Sequence, residues 1–186
     1  MKIGILGGTF NPPHIGHFII AEEVRQKFGL DKIFFIPTNI PPHKDNAGVS
    51  ADHRLAMLNV ALQKDVCFEV KDLEINRGGV SYTVDTVREL RNDYPDDDFF
   101  LIVGSDLANQ FSTWKYYKEL KEEIKIIVAI RRPNPLVEDE KFIVADIVQI
   151  DVSSSKIRNM VANGDSIRYL VCEEVEQYIK RHNFYT

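Results

Sequence analysis

Two histidines three residues apart, His14 and His17, stand in the string GGTFNPPHIGH at 7–17. At i and i+3 of a helical turn both imidazoles face the same way. Just upstream, Gly7 and Gly8 close the apolar run KIGIL at 2–6 and lead into Thr9 and Phe10. Glycines between a strand and a helix let backbone N–H groups approach a phosphate with no Cβ in the way. A helix opening at His14-Ile15-Gly16-His17 adds N–H groups without intrahelical acceptors and the positive end of its dipole. The spacing predicts an anion cradle, with Gly16 leaving room for a ligand against the helix. Alone, two histidines at a helix start would read as caps or surface residues. Without a third ligand nearby they make a weak zinc site, so no metal-binding residue is assigned. The string is not GxGxxG, and no dinucleotide fingerprint is met.

A second stretch, IDVSSSKIR at 150–158, reads as a strand end, a serine cap and a helix start. Lys156 and Arg158 near that start oppose the helix dipole unless an anion sits at the same end. Alone it is a serine cap with two solvated cations. Three more stretches invite a reading. PTNIPPHK at 37–44 is a proline-stiffened loop that projects donors from His43 and Lys44. EINRGGVSYTVDT at 74–86 reads as a hairpin turning at Gly78-Gly79, then a helix capped by Thr83. VGSDLANQFSTW at 103–114 ends a strand at Val103, with Gly104 permitting close approach. Asp106 there suits ribose hydroxyls or caps the next short helix. Trp114 suits a stacking platform or the core.

Alternating elements must position these groups. Strands are expected near 2–6, 32–36, 66–70, 98–103, 124–130 and 147–151, and helices near 15–28, 50–62, 83–93, 115–122, 154–162 and 171–181. FFLIV at 99–103 and IIVAI at 126–130 are nearly continuous apolar runs, as in a parallel sheet covered on both faces. Gly29 and Asn163-Gly164 are helix stop signals. The pattern is α/β, a single Rossmann-like doubly wound domain over 1–186 with a mostly parallel sheet. Ligands in such sheets bind beyond the carboxyl ends of the strands. Segment 131–145 is the most loop-like stretch.

The 186 residues carry a net charge of −5, 44% hydrophobic residues and 27% charged ones. That balance is ordinary for a soluble domain and argues against sequence-independent nucleic-acid binding. Cys67 and Cys172 form no CxxC and no disulfide framework, which suggests a reducing compartment. No leader pattern precedes the first strand, and no apolar run is long enough for a membrane span, so the expected location is cytoplasmic.

GGTFNPPHIGH and IDVSSSKIR together resemble the two signature motifs of the nucleotidyltransferase superfamily with an HxGH motif. In that superfamily the histidines hold the triphosphate of ATP or CTP, and the serines and arginine grip the β- and γ-phosphates. The resemblance implies an ATP site at Gly7, Gly8, Thr9, Phe10, His14, His17, Ser153, Ser154 and Arg158, with His14, His17 and Arg158 catalytic. PPHK, RxGxSYTxDT and GSDxxxxFxxW extend the likeness to the bacterial nicotinate-nucleotide adenylyltransferase family, from residue 3 to YLVCEEVEQYI at 169–179. This implies adenylyl transfer from ATP to nicotinate mononucleotide, with magnesium. His43, Lys44, Tyr82, Thr83, Gly104, Asp106 and Trp114 would bind the mononucleotide, with Tyr82, Thr83 and Trp114 around the pyridine ring. Arg131 or Arg132 would reach the adenylyl side. Two departures are Cys172, where proline at the first helical position is expected, and Asn134, where glycine is more usual. No nucleic acid and no membrane are implied, and a homo-oligomer is left open.

Overall fold

The structure, a computed structural model, describes residues 1–41, 48–130, 139 and 141–186. Six parallel strands form one sheet: β1 (Lys2–Gly8), β2 (Lys32–Pro37), β3 (Phe68–Val70), β4 (Asp98–Gly104), β5 (Lys125–Ile130) and β6 (Phe142–Asp146). Their order is β3-β2-β1-β4-β5-β6. The order reverses between β1 and β4, whose carboxyl ends are Gly7-Gly8 and Gly104. A doubly wound sheet opens its ligand crevice at such a switch point.

Side-chain alternation along each strand fills two layers. On one face Ile3, Ile5, Leu101, Val103, Ile126 and Val128 pack with Val84, Val87 and Leu90. Those last three lie on α4 (Thr83–Asp93), which follows the short α3 (Leu73–Arg77). On the other face Ile33, Phe35, Ile102 and Ile127 meet Ala21 and Val24 of α1 (Ile15–Phe28) and Leu58 and Leu62 of α2 (Ala51–Leu62). After β4 come α5 (Ser105–Ala108), a 3-10 turn at Phe111–Thr113 and α6 (Tyr117–Glu123). A third cluster joins Met57 and Val152 to α7 (Ser154–Ala162) and α8 (Glu173–His182).

Stop signals act as expected at two helices. Gly29 ends α1 at φ 60°, and Gly164 follows α7 at φ 76°. Four details differ from the sequence reading. The last strand is 142–146, not 147–151, because β5 pairs with Phe142–Asp146 in the register Ile126 to Phe142. Both runs are β-rich, and the pairing that selects one is long-range, so part of the loop-like segment is strand. The expected hairpin before Gly78 is instead the helical turn α3. Gly78 and Gly79 at φ 72° and 68° follow it, since left-handed glycines end helices as readily as they make hairpins. Tyr82, not Thr83, is the N-cap of α4, and Thr83 is its first helical residue. Cys172 is the N-cap of α8, so the first helical position belongs to Glu173.

Candidate active site

The first turn of α1 lies against the segment that leads into α7. A Cβ built on Gly16 would stand 2.7 Å from Val152 Cγ1 and 3.1 Å from His14 Nδ1. The room beside Gly16 is therefore filled by Val152, one residue before the Ser153 cap, and not left for a ligand. Glycine is what allows the HxGH turn and the SSxxIR turn to touch.

Around that contact α7 ties down the loop before α1. Ser154 Oγ donates to the Pro12 carbonyl at 2.9 Å, and Arg158 Nη1 donates to the Asn11 carbonyl at 2.8 Å. Arg158 Nη2 donates to Ser155 Oγ at 3.1 Å. Ser153 Oγ accepts the Lys156 N–H at 3.2 Å, the cap expected from sequence. Lys156 itself pairs at 3.3 Å with a fully exposed Asp151, an ion pair of little weight.

Within the HxGH turn His14 is 4% exposed and its N–H donates to His17 Nδ1 at 3.1 Å. With Nδ1 an acceptor, the neutral ring of His17 carries its proton on Nε2. The two imidazoles stack with centroids 3.7 Å apart, on one face of the turn as the spacing predicts. Ile15 N–H does not wait for an anion but donates to the Leu170 carbonyl at 3.0 Å. Phe10, 1% exposed and at φ 49°, folds under the loop and meets the His17 ring edge-on at 4.9 Å. Gly8 makes space for it, since a Cβ there would lie 3.1 Å from the Phe10 ring. Gly7 is open, and Thr9, half-buried, directly follows β1.

Two further residues hold this loop and were not singled out from sequence. Arg54, 2% exposed on α2, donates from Nη1 to the Thr9 carbonyl at 2.8 Å and from Nη2 to the Asn39 carbonyl at 2.9 Å. Burial pushes its guanidinium below the usual range. An arginine in line with Met57, Leu58 and Leu62 on one helical stripe was the available signal. Tyr185 Oη donates to Asn11 Oδ1 at 2.5 Å. Burial pushes that phenol far up, while Arg158 and Arg54 oppose the shift.

Across the crevice, the loop after β2 is tied to the SYT segment. Asn39 N–H donates to Ser81 Oγ at 2.9 Å, Asn39 Nδ2 to the Gly79 carbonyl at 3.0 Å, and Ser81 N–H to the Ile40 carbonyl at 2.9 Å. Glu74 sits beneath, its Oε1 accepting from Thr86 Oγ1 at 2.7 Å, and burial pushes its carboxyl up. Trp114 is half-buried against Phe111, centroids 4.9 Å apart, so it combines packing with an open side. Gly104, not Asp106, caps α5. Among the described residues Asp106 Oδ1 is buried without a hydrogen-bond partner, as is Thr38 Oγ1 at the end of β2. Capping therefore does not account for Asp106. His43, Lys44, Arg131 and Arg132 lie outside the described residues.

Residues 5–160 match the Cytidylyltransferase-like family. A probable nicotinate-nucleotide adenylyltransferase of Oceanobacillus iheyensis is 44% identical over 184 residues, covering 99% of this chain and 96% of that protein. One of the same description from Exiguobacterium sibiricum is 42% identical, covering 100% of this chain and 99% of its own. A solved Plasmodium falciparum nicotinic acid mononucleotide adenylyltransferase complexed with NaAD superposes with a TM-score of 0.85 at 20% identity, covering 99% of this chain and 97% of that one. At that identity the superposition speaks for the fold, while the near-full-length similarity above 40% speaks for the family. The chain belongs to the Cytidylyltransferase-like family and, within it, to the nicotinate-nucleotide adenylyltransferases.

Proposed function

We propose that this chain transfers the adenylyl group of ATP to nicotinate mononucleotide, giving nicotinate adenine dinucleotide and pyrophosphate in the making of NAD. The observation that carries this reading is the Gly16–Val152 contact. It supports the reading because it puts the HxGH turn, which follows β1 beside the sheet's switch point, against the SSxxIR turn. The mononucleotide's phosphate, with a second pKa near ~6, is mostly dianionic at neutral pH and attacks the α-phosphorus directly. The new P–O bond forms as the bond to the β-phosphate oxygen breaks, and pyrophosphate leaves. No covalent enzyme intermediate and no general base are needed. Catalysis rests on holding two polyanions in line and spreading the developing charge.

His17 Nε2–H serves as donor to the transferring phosphoryl, with His14 stacked behind it. Arg158 and the start of α7 take the outgoing end of ATP. Gly104 and Asp106 meet the nucleotide, the buried Oδ1 of Asp106 accepting from a ribose hydroxyl. Tyr82, Thr83 and Trp114 surround the pyridine ring, and the family resemblance assigns His43 and Lys44 to phosphate binding. Among the described residues no three His, Cys, Asp or Glu side chains cluster to hold a metal ion. Magnesium keeps several waters and needs few protein ligands, so it fits a site where phosphate oxygens hold it. Bound there it would neutralise charge on the leaving pyrophosphate. Among the described residues no helix is long and apolar enough to cross a membrane. We place the activity in the cytoplasm and within one domain.

The test is pyrophosphate release from ATP with magnesium and each of four acceptors: nicotinate mononucleotide, nicotinamide mononucleotide, phosphopantetheine and glycerol phosphate. Release only with nicotinate mononucleotide, or at least ~10²-fold faster with it, is expected. Equal use of the two pyridine nucleotides replaces this reading with a dual-specificity enzyme. No release with any acceptor replaces it with a nucleotide-binding regulator.

Arg158→Lys separates the two substrates. A lysine is a point charge and cannot reproduce a planar fork that spans two partners. The KM for ATP should rise about tenfold while that for the mononucleotide stays within twofold. Equal weakening of both would move Arg158 away from the outgoing pyrophosphate.

A further inference from the structure

We propose that Lys115 is a specificity-determining residue that reads the acidic substituent of the pyridine ring. The inference rests on the acceptor assignment above. Lys115 directly follows Trp114, and Tyr116 after it adopts φ 55°, ψ 36° as the N-cap of α6. A tyrosine in the left-handed region is strained, and something must hold it there. Lys115 Nζ lies 4.1 Å from the centre of the Tyr82 ring and 5.1 Å from that of Tyr116. This ammonium is thus a direct contact between the SYT segment and the tryptophan segment, which stand 31 positions apart at Thr83 and Trp114.

Among the described residues Lys115 forms no ion pair with any carboxylate. Its partners are two ring faces. A cation–π contact at an exposed site is weaker than a charge-assisted hydrogen bond, so a carboxylate arriving between Tyr82 and Trp114 draws the ammonium to itself. Nicotinate offers that carboxylate, and nicotinamide offers a neutral amide with its own N–H₂. Both mononucleotides carry the same ribose and phosphate. A cation aimed at the phosphate would favour neither, and a cation aimed at the ring substituent favours the acid.

Lys115→Met keeps the aliphatic stem and removes only the charge. It should cut kcat/KM for nicotinate mononucleotide about tenfold, the loss of one charge-assisted bond, and leave nicotinamide mononucleotide within twofold. The KM for ATP and the melting temperature should not move. Lys115→Glu should lower the acid-to-amide ratio further. Raising salt should weaken nicotinate mononucleotide more in the wild type than in Lys115→Met. An unchanged ratio, or equal loss for both mononucleotides, overturns the proposal. A wild type that turns over neither mononucleotide defeats the acceptor reading itself, which is a separate outcome from an active wild type whose ratio ignores residue 115.

Discussion

His17→Ala is expected to lower kcat by ~10²-fold or more, with a much smaller change in the KM for ATP. The magnitude is that of a lost, preorganised donor to developing negative charge. Preorganisation is visible in three contacts. His17 Nδ1 accepts the His14 N–H at 3.1 Å, which sets the tautomer. Its ring is stacked at 3.7 Å on His14 and braced edge-on by Phe10 at 4.9 Å. An alanine also removes the hydrogen bond that His17 makes at the helix start, worth about 1 kcal/mol. For a chain of this length that lowers the melting temperature by roughly 2–4 °C, so the variant stays folded. His17→Asn separates the two effects, because its side-chain oxygen can accept at the cap but cannot place a donor at Nε2. Stability should return and kcat should not. A folded His17→Ala enzyme with near-normal kcat would remove this residue from the chemistry.

Gly16→Ala should cost about as much by a different route. The new methyl would meet Val152 Cγ1 at 2.7 Å and His14 Nδ1 at 3.1 Å, inside contact distance on two sides. Val152 is buried and short, with no flexible end to swing away, so the backbone must yield. Alanine's better helix propensity offers up to ~1 kcal/mol. Overpacking costs about 1–3 kcal/mol and wins. The larger effect is on catalysis. A shift of about 1 Å between α1 and α7 parts the two phosphate turns, and misplacement on that scale costs on the order of 10²-fold. Val152→Ala should be mild alone and should restore most of the activity when added to Gly16→Ala. If the double variant is no better than Gly16→Ala, the contact does not set the distance between the motifs.

Much of this was legible because the deciding signals are local. Gly29 ends α1 and Ser153 begins α7 where sequence places them, since each acts through its own few residues. The GGTFNPPHIGH and SSSKIR strings and the SYT and tryptophan segments are legible the same way, each as a short run of neighbouring residues. What escaped depends on partners far along the chain. Gly16 reads as ligand space until Val152 is known to fill it. Arg54 reads as an ordinary helical arginine until the Thr9 and Asn39 carbonyls appear on its guanidinium. The choice of Phe142–Asp146 for β6, and of a helical turn over a hairpin before Gly78, was made by sheet pairing and by burial of Glu74. Asp106 reads from sequence as a ribose partner or a helix cap, and the Gly104 cap removes the second.

The hydrogen bond from Tyr185 to Asn11 joins residues 174 positions apart, and Arg158 holds the same asparagine from 147 positions away. A ribosome delivers the FNPPH loop before the residues that hold it, since synthesis runs from the N-terminus and domains take shape as they emerge. β1, α1 and β2 can begin to pack as a growing half-domain while every group that shapes this loop from the far side is still unmade. The FNPPH loop thus acquires its form only after residues 158 and 185 have been made. A nascent chain carrying both histidines has the FNPPH loop without the hydrogen bonds from Arg158 and Tyr185 that hold it.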